Sequence, residues 1–357
     1  MTNTAKSILL PSSTDNILLR VAFLHVGQGS SAILLAKSGT GYKASLLDIN
    51  IDRKAGGIDV PRLVRDLVGE VGLTWFINTH PHDDHLLGLD SLSEEVTIHG
   101  VMHSGHIPSK KYGSSYKQLE DLIKKVTKAG GDVVTLKGSR TAQMFDEAQM
   151  HVLAPAEYVT DEVNEEDADA RYNRIHEQCG VIKFGDGTNW ILIPGDADHV
   201  AFKKHIMYHE ANGNLRAFVL AASHHGSRTF FMANDSDDPY LDALQAIAPT
   251  YVVVSAPTQD ESKHDHPHDE AIELYEDEVG EDNVLHTGQN KYTFIFDIYT
   301  DGTVSSAKDD QGKLAEVYGL TDEDDDGGDD NSGGPFTKGP FVLTGSRTGD
   351  LTPRKFG

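Results

Sequence analysis

The stretch Leu73-Thr74-Trp75-Phe76-Ile77-Asn78-Thr79-His80-Pro81-His82-Asp83-Asp84-His85-Leu86-Leu87-Gly88-Leu89 decides how the chain is read. Its first six residues form a short run rich in aromatic and β-branched side chains, so they read as a buried strand. The strand opens into a Pro-containing turn and then a helix. Within the turn, His80, His82, Asp84 and His85 place four potential metal ligands in six positions. Neutral imidazoles suit zinc and neighbouring first-row metals, and a carboxylate adds the negative charge a dication needs. One ion could take only some of these adjacent ligands without straining the backbone. The spacing therefore suggests two metals, with His80 and His82 on one and Asp84 and His85 on the other.

Composition bounds what such a turn can serve. The chain has 357 residues, 38% of them hydrophobic, enough to bury a full core as one large domain or two ordinary ones. No apolar stretch approaches the span of a bilayer, and Met1 to Ser13 lacks the charged start and long apolar centre of a secretory signal. A cytoplasmic protein with no membrane partner is the expectation. Cys179 is the single cysteine, which forbids an intrachain disulfide and leaves any metal to His and carboxylates; eighteen His residues make that feasible. The formal net charge of −25 argues against a broad basic surface for nucleic acid. A polyanionic substrate would have to be met by a small cationic site containing the metals.

Working outward, the same pattern of polar chemistry at a strand end recurs. Asn16 to His25 reads as a strand, followed by the Gly-rich turn Val26-Gly27-Gln28-Gly29-Ser30-Ser31 and the strand Ala32 to Ala36. Taken alone, that turn is a plain hairpin. Lys43 to Asp48 is a third strand whose polar end could support the metal site from behind. Asp59 to Glu70 has helical spacing, with Asp59 as N-cap and Pro61 in the first turn. Helices are expected over Ser114 to Ala129, Asp198 to Glu210, Asp238 to Ile247 and Asp269 to Val279. His103 and His106 match no ligand pattern and read as surface or pocket-rim residues. The strand Asn189 to Ile193 ends in Pro194-Gly195-Asp196-Ala197-Asp198, which makes Asp196 the candidate to bridge two cations, although Gly-Asp at such a junction is usually a turn and N-cap. The strand Arg216 to Ala221 ends in Ser223-His224-His225-Gly226-Ser227, and Thr250 to Ser255 is followed by His264-Asp265-His266-Pro267-His268.

These ordered motifs resemble the metallo-β-lactamase fold superfamily, and their wording is most similar to the hydrolase domain of the ComEC competence proteins. The pattern there, DVGQGD, THxHxDH, GDA, HHGS and a late HP, has counterparts in HVGQGS (His25 to Ser30), THPHDDH (79 to 85), GDA (195 to 197), HHGS (224 to 227) and HP (266 to 267). The resemblance spans roughly residues 17 to 300. It implies an α/β fold, a four-layer αββα sandwich with the metal site at one edge between two sheets. It further implies His80 and His82 on a first metal, Asp84 and His85 on a second, Asp196 between them and His225 completing the second. The first metal takes a third ligand upstream of Asp196, for which His176 is the best match and Asn173 the second. Which of His224 and His225 is the ligand stays open; the other would sit beside the substrate, and His266 would line the site. Both acids of DVGQGD are replaced, by His25 and Ser30.

The expected hydrolase domain is residues 1–306, and 307–357 is an acidic, Gly-rich tail, at least partly disordered, holding seven acids between Asp322 and Asp330. The implied function is a phosphodiesterase, a nuclease on DNA or RNA. Two divalent ions, zinc or manganese, would share a bridging hydroxide, with Asp84, His224 and His266 as the catalytic side chains. The alternatives are a hydrolase of small phosphodiesters or thioesters and a metal-bound regulatory subunit. The expected partners are nucleic acid as substrate and a protein partner in a DNA-processing or defence complex. Lys110, Lys111, Lys117, Lys124, Lys125 and Lys128 are the residues available for a local cationic groove.

Overall fold

Burial alternates along the first two strands in a way that demands cover on both faces. In β1 (Ile17–Phe23) Leu19, Val21 and Phe23 face one way and Ala22 the other, and in β2 (Ala32–Ser38) Leu34 opposes Ile33 and Leu35. The computed structural model describes residues 3–108, 114–262 and 265–321. The first sheet continues with β3 (Gly41–Leu47), β4 (Trp75–Asn78), β5 (Gly100–His103) and β6 (Asp132–Thr135). The chain then builds a second sheet from β7 (Gln143–Phe145), β8 (Ala148–Ala154), β9 (Val181–Gly185), β10 (Trp190–Ile193), β11 (Val219–Ala221), β12 (Tyr251–Val254) and β13 (Val284–His286). It returns to the first with β14 (Phe294–Tyr299) and β15 (Lys308–Asp309).

Strand order is β15-β14-β1-β2-β3-β4-β5-β6 in one sheet and β13-β12-β11-β10-β9-β8-β7 in the other. From β3 to β6 and from β10 to β13 the neighbours are parallel. The sheets face each other across a core that joins Leu34, Leu47, Ile77 and Phe296 to Phe184, Ile191, Val219 and Val253. On the outside of the first sheet lie helices Val60–Val68, Leu89–Glu95 and Ser114–Lys128, burying Leu63, Leu92 and Leu122. Asp242–Ile247 and Asp269–Val279 cover the second through Leu244 and Tyr275. The result is the four-layer αββα sandwich expected from the sequence. No helix among the described residues is long and apolar enough to cross a membrane.

The helix after Asp59 forms for the reasons its residues give. The Asp59 carboxylate accepts from the Arg62 amide at 3.2 Å, and Pro61 occupies a first-turn position where no intrahelical donor is needed. The expected helix from Asp198 to Glu210 is instead broken into a short α turn (His199–Ala201), a π segment (Phe202–Ile206) and a 3₁₀ segment (Met207–Asn212). Burial of Phe202 and Ile206 beneath the second sheet is kept while the hydrogen-bond ladder changes pitch.

The boundary expected at residue 306 falls short. β15 pairs with β14, and Leu314 and Tyr318 of the helix Lys313–Tyr318 are buried in the outer core of the first sheet. Ile58 bridges Gly319, and the Leu320 amide donates to the Gly57 carbonyl at 2.9 Å. The drop in apolar content after Asp301 hides the i, i+4 pair Leu314 and Tyr318, which is enough to anchor this last turn. The run Asp322 to Asp330 lies outside the described residues, as do Lys110 and Lys111.

Candidate metal centre

Topology brings the four motif-bearing segments to one edge. Parallel strands β10, β11 and β12 end on the same side, and β9 runs antiparallel to β10, so its entry lies there too. The two sheets meet at this edge: the Gly180 amide donates to the Thr79 carbonyl at 2.7 Å. At Gly195, φ is +55° and a Cβ would come within 2.8 Å of the Thr79 Cβ, so only glycine lets the Asp196 turn sit against the His turn.

Two groups of donor atoms result, and between them they contain all seven residues expected to bind metal. His80, His82, His176 and Asp196 form one; Asp84, His85, Asp196 and His225 form the other. Asp196 belongs to both and divides its oxygens. Its Oδ2 lies 3.4 Å from His80 Nε2 and 4.0 Å from His176 Nε2, while its Oδ1 lies 3.1 Å from His85 Nε2 and 3.7 Å from His225 Nε2. His80 Nε2 and His82 Nδ1 approach to 2.9 Å, and His225 Nε2 is 3.1 Å from Asp84 Oδ2. His225, not His224, stands in the second group. His224 Nε2 is nevertheless 3.6 Å from Asp196 Oδ2, and its ring is 4.6 Å from that of His176 and 4.9 Å from that of His266. Asn173, the second choice beside His176, is in neither group; it ends the helix Ala168–Asn173 that leads into the His176 turn.

The ring nitrogens facing away from the cluster are tied to the scaffold. Asp48 accepts from His85 Nδ1 at 2.8 Å, from the Thr79 amide at 2.8 Å and from the Thr79 hydroxyl at 2.7 Å. His225 Nδ1 donates to the Ser255 carbonyl at 3.1 Å, and His224 Nδ1 meets Thr229 Oγ1 at 2.9 Å. Such outer partners fix ring orientation and tautomer, leaving the other nitrogen to face the site. The backbone is strained to achieve this: His224 and His225 are consecutive left-handed residues, with φ of 50° and 56°. Each costs roughly 1–3 kcal/mol and persists because the surroundings hold it. Gly226 follows at φ +78°, where a Cβ would lie 2.8 Å from the Pro267 Cβ.

Charge is arranged to suit a cation. Burial pushes Asp196 up, but His85, His224, His80 and His225 outweigh it and hold the carboxyl well below its usual range. Asp84 is likewise held low against burial, by His85 and His225. Burial lowers the pKa of His80, His82 and His224, the last two well below the usual imidazole range. His85 is the exception: burial opposes protonation, yet Asp196, Asp48 and Asp84 together raise it well above the imidazole range. The carboxylates thus attract positive charge to the position of His85.

The polar atoms at the centre fit a divalent ion. Both oxygens of Asp196 and the Nε2 atoms of His85, His176 and His225 are buried without a hydrogen-bond partner. A buried carboxylate is costly unless compensated, and Asp196 is compensated by the surrounding imidazoles, the same ring of groups a cation would join. Convergent lone pairs from imidazoles and a shared carboxylate are the donor chemistry that zinc and its first-row neighbours accept.

Sequence reasoning missed some of the surrounding residues. Gln28, taken for part of a plain turn, is buried and within 3.3 Å of His266 Nδ1. Thr79, Thr229 and Ser255 orient rings by contacts that no spacing reveals. His106, expected at the surface or the pocket rim, is buried and bonded to Gln178, and burial lowers its pKa to about 4. His25, which replaces an acid of the resembled motif, is fully buried with Nε2 3.1 Å from the Ala55 carbonyl. The lysines at 117, 124, 125 and 128 sit on the helix covering the outer face of the first sheet, where Lys124 pairs with Asp121 at 3.0 Å.

No known protein family matches the sequence, and no curated protein does. Among solved structures, the chain is similar to a diphosphatase from the PhnP family, with 12% identity, 75% of this chain and 94% of that chain covered, and a TM-score of 0.37. It is also similar to the Rm3 metallo-β-lactamase, with 12% identity, coverage of 58% and 80%, and a TM-score of 0.31. A third is the FIM-1 metallo-β-lactamase from Pseudomonas aeruginosa in its mono-zinc form, with 12% identity, coverage of 85% and 90%, and a TM-score of 0.30. Two of these three neighbours are metallo-β-lactamases.

Proposed function

We propose that this protein is a metal-dependent hydrolase that cleaves phosphodiesters, with DNA or RNA as substrate. The observation that carries the reading is the division of Asp196: one buried carboxylate presents a separate, unsatisfied oxygen to each of two histidine groups. A single structural ion does not call for that arrangement, whereas a pair of ions gripping one phosphoryl group does. Zinc or manganese ions, when bound, would lower the pKa of the attacking water toward about 7 and offset charge on the phosphoryl oxygens.

The side chains divide the remaining work. Asp84 and Asp196, kept ionised, orient the water by accepting its hydrogens. His266, its ring 4.9 Å from that of His224 beside the two groups, would hydrogen-bond the phosphoryl or leaving oxygen, with His224 lining the same side of the site. Aiming donors at developing charge in a dry site is usually the largest catalytic contribution.

A small phosphodiester or thioester is the second reading, favoured by the net charge of −25, which repels a long polyanion. One panel separates the two: single-stranded DNA, duplex DNA, RNA and bis(p-nitrophenyl) phosphate, each with zinc- or manganese-loaded protein. Cleavage of a nucleic acid, abolished in Asp196→Asn, supports the first reading. Turnover of the small ester alone supports the second. Stoichiometric metal without turnover of any substrate would make the chain a metal-bound interaction subunit.

A further inference from the structure

We infer that Ser255 is a positioning residue: acting with the glycine-rich turn after β1, it braces the backbone of Asp84 against His225 and so sets the opening of the second donor group. The inference rests on the metal-dependent reading of the site and does not depend on which ester is cleaved.

The turn from His25 to Ser30 is longer than closing β1 onto β2 requires. The two strands pair as far as Phe23 and Ala32, and the Leu24 amide donates to the Ser31 carbonyl at 3.0 Å. A hairpin closes with as few as two residues. This one uses six, and their polar groups reach other segments of the chain. The Ser30 amide donates to the Asp84 carbonyl at 3.2 Å, and the Gly29 carbonyl accepts from the Ser255 hydroxyl at 2.8 Å. Asn50 Nδ2 donates to the carbonyls of Val26 and Gln28, at 2.9 and 2.6 Å, and the Gln28 amide donates to Asp52 Oδ2 at 3.4 Å. With the Gln28 and Ser30 amides engaged in this way, the turn is not an open nest of N–H groups that cradles a phosphate.

The direction of the decisive bonds is fixed by their partners. Backbone carbonyls only accept, so the Ser255 hydroxyl donates to Gly29, and His225 Nδ1 donates to the Ser255 carbonyl at 3.1 Å. Ser255 therefore reaches both sides of the group. Its carbonyl holds the His225 ring; its hydroxyl holds Gly29, and the next residue, Ser30, holds the backbone of Asp84. The fit leaves no slack: a Cβ at Gly29 (φ +144°) would lie 2.4 Å from the Asp84 carbonyl oxygen and 2.7 Å from the Asn50 Cβ. Asp84 follows β4 in one sheet and Ser255 follows β12 in the other, so the brace crosses between the sheets.

The spacing it maintains suits a shared ion. Asp84 Oδ2 and His225 Nε2 stand 3.1 Å apart. Two ligand atoms about 2.0–2.1 Å from one tetrahedral zinc are roughly 3.3 Å apart, and such constellations tolerate displacements of only about 0.5 Å. His225 is also a left-handed residue, with φ of 56°, so its ring depends on support from outside its own turn. Without the Ser255 hydroxyl, this chain of bonds no longer ties Asp84 to the His225 side.

The test is ¹¹³Cd NMR on the full-length chain loaded with cadmium, with the second-group signal assigned by its loss in His225→Gln, together with a chelator titration. Ser255→Ala keeps the carbonyl and removes only the hydroxyl. It should shift the second-group signal and weaken that ion about 10-fold, the low end for an outer partner of a metal ligand, while the first-group signal stays in place. Ser255→Thr keeps a hydroxyl and should retain both wild-type readouts. A general loss of packing would instead move both signals and lower the melting temperature of the metal-free chain. Wild-type signals and affinity in Ser255→Ala, equal displacement of both signals, or a threonine variant no better than alanine overturns the inference. If the wild type gives two cadmium signals yet its zinc- or manganese-loaded form cleaves no phosphodiester, the phosphodiesterase reading fails alone, and the same spectra still decide the role of Ser255.

Discussion

The two donor groups share Asp196 but are held by different means. In the second group, His85 and His225 are fully buried, and each has its outer nitrogen bonded, to Asp48 and to the Ser255 carbonyl. In the first, His82 and His176 are only partly buried, and His176 rides on a short turn (Ile175–Gln178) at the periphery. That turn is clamped by charge. Arg174 reaches Glu162 at 2.9 Å, Glu166 at 2.6 Å and Glu177 at 3.1 Å. Glu177 also accepts from His205 Nε2 at 3.0 Å. Burial raises the Glu177 carboxyl, but the bonds from His205 and Arg174 prevail and hold it at about 2. One group is thus organised by its own rings, the other by an ion network beside it. The second should bind its ion more tightly and release it later.

The comparison breaks most completely at the residue both groups share. Asp196→Asn should remove both ions and at least about 1000-fold of kcat, read by elemental analysis and turnover. Retention of both ions would mean that Asp196 does not link the groups. Asp48→Asn acts most directly on the second group, through His85 Nδ1, and reaches His80 only by way of Thr79. Losing the carboxylate behind His85 should weaken one ion about 10- to 100-fold in a chelator titration while the other is kept. Equal weakening of both would show that the groups are not separable. Arg174→Met should make the first ion about 10-fold easier still to strip, and Arg174→Lys should restore only part of this because Lys lacks the planar fork. No change in either variant would mean that the network does not position His176.

The smallest effect concerns stability away from the site. Burial lowers His209, which donates to the Leu153 carbonyl, to about 4. Between roughly pH 6.5 and 4 the unfolded chain therefore binds a proton that the folded chain does not. Stability rises with pH across that window and is lost as pH falls through it. His209→Gln keeps a donor without the titration, so its thermal-melt curve should be flatter over this range; an unchanged acid slope would exclude His209 as a source.

Much of the centre was legible in the sequence because its ligands sit in short motifs at strand ends, where spacing and strand length carry the signal. The residues from His80 to His85 need only local pattern; Asp196 and the pair His224 and His225 needed the family resemblance as well, and it left open which of the two histidines joins a group. Other features depend on distant contacts. Gln28 gains its meaning from Ser262 and His266, more than 200 positions away, and Asp48 from Thr79 and His85. The last helix was hidden because it is short and follows a largely polar stretch from Asp301 to Lys313, although Leu314 and Tyr318 are both buried. The break in the helix after Asp198 likewise follows from how Phe202 and Ile206 must reach the second sheet, which hydrophobic spacing alone does not encode.

The most direct measurement is anomalous diffraction from crystals of the metal-repleted chain, collected on either side of the zinc or manganese edge. Two peaks flanking Asp196 are predicted, one contacted by His80, His82 and His176 and the other by Asp84, His85 and His225. A single peak remote from Asp196, or none in protein loaded to saturation, would contradict the account.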